Sequence, residues 1–72
     1  MKDLTRQERK LLRVIVTFWE RNGRGPCLKE MTAGMGYGYH GATLRLLNRL
    51  ERRRYVLRVH GYVTYDVIRD VV

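Results

Sequence analysis

Five residues, Met35-Gly-Tyr-Gly-Tyr39, place two glycines between two stretches of helical periodicity. That break restricts the chain to folds in which one short helix turns sharply into a second. Cys27 to Gly34 reads as the short helix, closed by Gly34, and His40 to Arg53 as the longer one. Leu46, Leu47 and Leu50, with Thr43 beside them, recur at helical spacing and predict a buried face. Arg45, Asn48, Arg49 and Arg52 fall on the opposite side. Gly36 is expected at positive φ in the turn, where a side chain would clash.

The flanking segments complete the pattern. Thr5-Arg-Gln-Glu8 spells a capping box, with Leu4 before it as a candidate staple. A first helix is predicted from there to Asn22, with Gly23 as its stop. Its apolar residues Leu11, Leu12, Val14, Ile15, Val16, Phe18 and Trp19 cover an arc of roughly 200°, wider than one packing face requires. Cys27 stands where an N-cap hydroxyl is expected, with Glu30 three residues on, which makes half of a second capping box. Tyr55–Val59 and Tyr62–Val67 are rich in β-formers, and His60-Gly61 between them suits a two-residue hairpin turn. Helix–helix–helix–hairpin in this order is α+β: a winged helix-turn-helix of three helices and a two-stranded wing, with residues 1–72 as one domain.

Charge gives the functional direction. The 72 residues carry a formal net charge of +8. Six arginines (45, 49, 52, 53, 54, 58) and one acid, Glu51, lie between Gly41 and Arg58, more than half of that excess. A solvated helix face ordinarily mixes signs for i, i+4 pairing. A helix loaded with arginine beside a hairpin fits a duplex polyanion. The N-terminal end of such a helix enters the groove. Arg45 there can grip a guanine bidentately, and Ala42 or Leu44 can touch a thymine methyl. Arg49, Arg52 and Arg53 lie further along and suit phosphates. Arg58, His60 and Tyr62 line the wing, which either tracks phosphate or merely covers the core. Leu44 can equally be a fourth core leucine, and Tyr39 a turn aromatic covering the short helix.

Other chemistries find little support. The chain has no serine, no glycine-rich phosphate loop and no carboxylate pair beside a histidine, so no enzyme activity is expected. Cys27, His40 and His60 lack metal-ligand spacing, and no cofactor or small-molecule ligand is expected. Cys27 reads as a tolerated small residue in a cap position rather than a redox sensor. The lone cysteine suits a reducing cytoplasm. The charged N-terminus argues against a signal peptide, and Leu11 to Trp19 is too short to span a bilayer.

The chain resembles the N-terminal DNA-binding domain of LexA-type SOS repressors. Leu4-Thr5, Arg6-Gln7, Ile15, Gly23, Pro26, Glu30, Met31, Ala33, Gly36-Tyr37, Ala42, Leu47, Leu50 and Val56 follow the family order over about residues 4–60. In that family the segment matching Tyr39 to Arg45 enters the major groove. The resemblance therefore implies Tyr39, His40, Gly41, Ala42, Leu44 and Arg45 as base readers and double-stranded DNA as partner; the charge pattern adds phosphate contacts from Arg49, Arg52, Arg53, Arg58 and His60. Departures are clear. The family's readout segment begins Ser-Pro-Asn or similar, where this chain has Tyr39-His40-Gly41. Leu44 and Arg45 replace acidic or polar readers, so the operator should differ from an SOS box. A glycine usually ends the recognition helix, where this chain has Arg54. No segment corresponds to the self-cleaving protease domain, which leads to the expectation of a small stand-alone repressor of the kind phages and other mobile elements carry. The surplus apolar arc on the first helix, with Val71-Val72, suggests a homodimer. Rival readings are a protein-binding winged helix that inhibits or recruits a host protein, and a non-specific architectural or recombination accessory binder.

Overall fold

A computed structural model describes residues 4–59 and 61–65. Three helices, α1 (Arg6–Asn22), α2 (Leu28–Met35) and α3 (His40–Arg52), precede strands β1 (Val56–Val59) and β2 (Tyr62–Tyr65). The strands pair antiparallel in the register Val56↔Tyr65, Leu57↔Thr64, Arg58↔Val63, Val59↔Tyr62. This is the winged helix-turn-helix that the sequence predicts. The expected continuation of β2 to Val67, the hairpin residue His60 and the pair Val71-Val72 lie outside the described residues.

Each helix begins and ends for a local reason. At α1 the Thr5 hydroxyl accepts from Glu8 N at 3.2 Å and Glu8 Oε1 accepts from Thr5 N at 2.9 Å, the reciprocal capping box. Leu4 is buried in the core beneath it. At α2, Glu30 Oε1 accepts from Cys27 N at 2.9 Å. The Arg24 guanidinium grips the same carboxylate at 3.1 and 2.9 Å. Those hydrogen bonds, from Arg24 first and the Cys27 backbone second, lower the Glu30 pKa to about 2. The anionic cap is thus fully present above the ordinary carboxylate range and is lost only as pH falls towards 2.

Gly34 does not close α2. The helix continues to Met35 and stops at Gly36, whose φ is 77°. Gly34 lies where α2 crosses α1, and a Cβ there would meet Val14 Cγ1 at 2.8 Å. Its small size serves helix packing, not termination. The end of α3 is a Schellman motif: Arg54 N donates to Glu51 O at 2.9 Å and Tyr55 N to Leu50 O at 2.9 Å. The left-handed position is Arg54, at φ 64°. Tyr55, placed in the strand by its composition, is instead the buried residue that completes this cap.

The core joins all the elements. Leu11, Leu12 and Ile15 of α1 pack with Met31, Met35, Leu46, Leu47, Leu50, Val56 and Val63. Most of the wide apolar arc of α1 is covered within one copy: Val16 is 7% exposed, Val14 packs on Gly34, and Trp19 donates to Val63 O at 2.7 Å. Phe18 stays half-exposed, so the surplus apolar surface on α1 is smaller than the sequence pattern predicts. Among the described residues, the exposed large apolar side chains are Tyr39, Leu57, Val59 and Tyr62.

Two substitutions probe this frame. Arg54→Gly removes the left-handed strain and should raise unfolding free energy by about 1 kcal/mol in a urea titration. Gly25→Ala should lower it by more than about 2 kcal/mol, since the new Cβ would overlap the Val63 carbonyl. A destabilised Arg54→Gly or a neutral Gly25→Ala would refute the geometry.

Candidate nucleic-acid interface

The N-terminus of α3 differs from the other two. Its N-cap, Tyr39, makes no side-chain capping bond, and its first turn contains no acid. The first-turn N–H groups are left for solvent or an anion, and the helix dipole adds positive potential there. In α1 and α2 a glutamate occupies the equivalent place. Position by position, α3 is built to receive negative charge where its neighbours supply their own.

Tyr39 is 65% exposed and its ring lies over Gly41, whose added Cβ would meet Tyr39 Cε2 at 2.8 Å. It does not cover α2, as the alternative for a turn aromatic required. Gly41 and Arg45 are exposed, while Ala42 and Leu44 are half-buried. Leu44 is not a member of the core cluster, which takes Leu46, Leu47 and Leu50 from this helix. The six residues from Tyr39 to Arg45 named as base readers thus fall at one end of one helix, with Thr43 between them turned fully inward.

His40 is held from below. Its Nδ1 lies 2.9 Å from Thr32 Oγ1, and Thr32 Oγ1 donates to Thr43 Oγ1 at 2.9 Å. The contact holds the His40 ring by its Nδ1 edge and leaves Nε2 at the far side of the ring. Thr32 and Thr43 are buried, so this chain locks the start of α3 onto α2. Sequence reasoning saw Thr43 only as part of a packing face. The turn before α3 is tied as well: Tyr37 OH donates to Gln7 Oε1 at 3.0 Å.

The arginines divide by partner. Arg45 and Arg52 are exposed along α3. Arg49 lies 3.7 Å from the buried Glu8 carboxylate, a loose contact that leaves its side chain half exposed. Arg53 is exposed at the C-cap. Arg58 is engaged differently: Nε donates to Glu51 Oε1 at 2.9 Å and Nη2 to Asn48 Oδ1 at 2.7 Å. Glu51, the one acid in the basic segment, is therefore committed to joining the wing to α3, and Arg58 is first a strut. The hairpin's inner face, with Val56 and Val63 buried, also covers the core. Among the described residues no group of three or more histidine, cysteine or acidic side chains is placed to hold a metal. No described helix is long and apolar enough to cross a membrane.

An uncapped, arginine-faced second helix beside a wing defines a winged helix-turn-helix of the nucleic-acid-binding kind. More specifically, residues 1–63 match the LexA DNA binding domain family, and the chain belongs to it. The LexA repressors of Thermotoga petrophila and Thermotoga maritima are each 39% identical to it over 61 residues, 85% of this chain. The chain spans 30% of the length of these relatives.

Reading and clamping should separate by mutation. Arg45→Ala is expected to lose roughly 1–3 kcal/mol on a selected duplex and relax preference at one base pair. Arg52→Ala should weaken all sequences alike. Binding isotherms on matched and single-substituted duplexes measure both, and the opposite pattern would reverse the orientation of α3. Thr32→Val should lower stability by about 1–3 kcal/mol, because Thr43 loses its partner in the core. It should also blunt selectivity at the base facing His40, and unchanged stability and selectivity would show the hydroxyl chain to be idle.

Proposed function

We propose that this protein is a sequence-specific double-stranded DNA-binding transcriptional repressor, without enzymatic activity, acting in the cytoplasm. Its uncapped α3 N-terminus, flanked by exposed arginines, carries the reading. A carboxylate cap there would repel phosphate, and the sequence supplies none. Family membership points the same way.

Tyr39, His40, Gly41, Ala42, Leu44 and Arg45 face base edges in the major groove. Arg45 pairs with guanine, and the free Nε2 edge of His40 meets a neighbouring base. Leu44 and Ala42 supply apolar contact to a thymine methyl. Arg49, Arg52 and Arg53 meet phosphates on either side of the groove. His60, by the sequence pattern, extends this set, and Arg58 contributes mainly by fixing the wing against Glu51 and Asn48. One helix reads only a few base pairs, so two copies on a pseudo-palindromic site would raise specificity.

Four or five phosphate contacts per copy give a slope of log K against log[salt] of about −4. Fluorescence anisotropy from about 50 to 200 mM salt, on random duplex and on duplexes enriched by selection, measures it. A steep slope with strong enrichment is expected. A steep slope without enrichment would make the protein a non-specific architectural binder, and no binding at low salt would remove DNA as the target.

A further inference from the structure

The α1–α2 pair carries a groove none of whose lining residues belongs to α3 or the wing. Lys10, Arg13 and Arg21 line one bank of a shallow groove, with Gly34 on the α2 bank and Val14 and Phe18 between them. Val14 packs against the core and Phe18 carries the Arg24 guanidinium over its ring at 4.9 Å, but both stay half-exposed, so the floor keeps some open apolar surface. Gly34 keeps the α2 bank low.

The cations of this bank, like Arg45 and Arg52 on α3, have no glutamate partner among the described residues. Arg24, Arg49 and Arg58 each pair with a glutamate. Arg13 and Arg21 have no ion pair among the described residues, and Lys10 Nζ reaches only the Met35 carbonyl, at a long 3.4 Å. The acid nearest the groove, Glu30, is already bound by Arg24. Glu20, the other acid exposed on α1, is not among the lining residues. From Lys10 to Arg21 is about 16 Å along the helix axis, three turns at 1.5 Å per residue.

We infer that this groove docks an acidic amphipathic helix of a partner protein. Its apolar side chains would sit on Val14 and Phe18, and carboxylates along one edge would meet Lys10, Arg13 and Arg21. A nucleic-acid strand matches the cations but has no use for the apolar floor. The groove positions lie on the α2 side of α1, roughly opposite Glu8, Leu12 and Trp19, which face α3 and the wing. Duplex on α3 therefore leaves the groove open, and the partner binds the regulator on its operator.

The test is an amide NMR titration of the full chain, free and on duplex, with a synthetic amphipathic peptide of about 15 residues bearing leucine and phenylalanine on one face and glutamate along its edge. Shifts are expected at Lys10 to Arg21 and at Gly34 in both states. The double variant Arg13→Glu/Arg21→Glu should weaken the peptide about tenfold or more and duplex binding by less than about twofold. A second peptide with lysine replacing glutamate should bind that variant and not the original chain. This reversal separates lost complementarity from lost folding. No shifts at about 1 mM peptide, or shifts confined to α3, would overturn the proposal. So would a roughly tenfold loss of duplex affinity in the double variant, which would assign these cations to phosphate. The free-chain titration stands even where duplex binding fails, so the two readings fall separately.

Discussion

The peptide group at Val63 holds this small domain together. Its carbonyl accepts from the Trp19 indole at 2.7 Å, and its N–H donates to the Pro26 carbonyl at 3.1 Å. Its side chain is 1% exposed in the core. Gly25 lies so close that a Cβ would be 1.7 Å from the Val63 oxygen. A two-stranded hairpin with four-residue strands has little stability of its own in water. Fastened at Val63 to the end of α1 and the loop before α2, it becomes a wall of the core. α3 is then enclosed by α1, α2 and β1, and its outward face is determined.

That enclosure explains the division of charge. Glutamates are spent where structure needs them: Glu8 and Glu30 at helix starts, Glu51 on the strut to Arg58. None is left at the start of α3. The recognition end is consequently the least neutralised helix terminus in the domain, while the hydroxyl chain from Thr43 through Thr32 to His40 holds it rigidly. Rigid placement matters because a base-edge contact depends on fixed geometry, whereas a phosphate contact tolerates flexible arginine.

Local signals were readable from sequence and distant ones were not. The Thr5–Glu8 box, the stop at Gly23, the positive φ of Gly36, and the buried face Thr43, Leu46, Leu47 and Leu50 depend on residues a few positions apart. Gly34 misled, because a glycine near a helix end looks like a stop until a crossing helix shows what it admits. Trp19 looked like surplus apolar surface because its partner lies 44 residues away. The tie from Arg58 to Glu51 and Asn48 depends on how the wing lies against α3, which no spacing rule contains. The segment proposed to read bases is singled out by its place at the start of α3 and by family resemblance. The hydroxyl chain under His40 appeared only once α2 and α3 were set side by side.

The central claim is that the N-terminal end of α3 reads base edges. Intermolecular NOEs between the protein and a selected duplex test it most directly. The account predicts cross-peaks from the Ala42 and Leu44 methyls and the Tyr39 ring to base protons in the major groove, with none from Val14 or Phe18. Base contacts from α1, or from the wing alone with α3 silent, would contradict it.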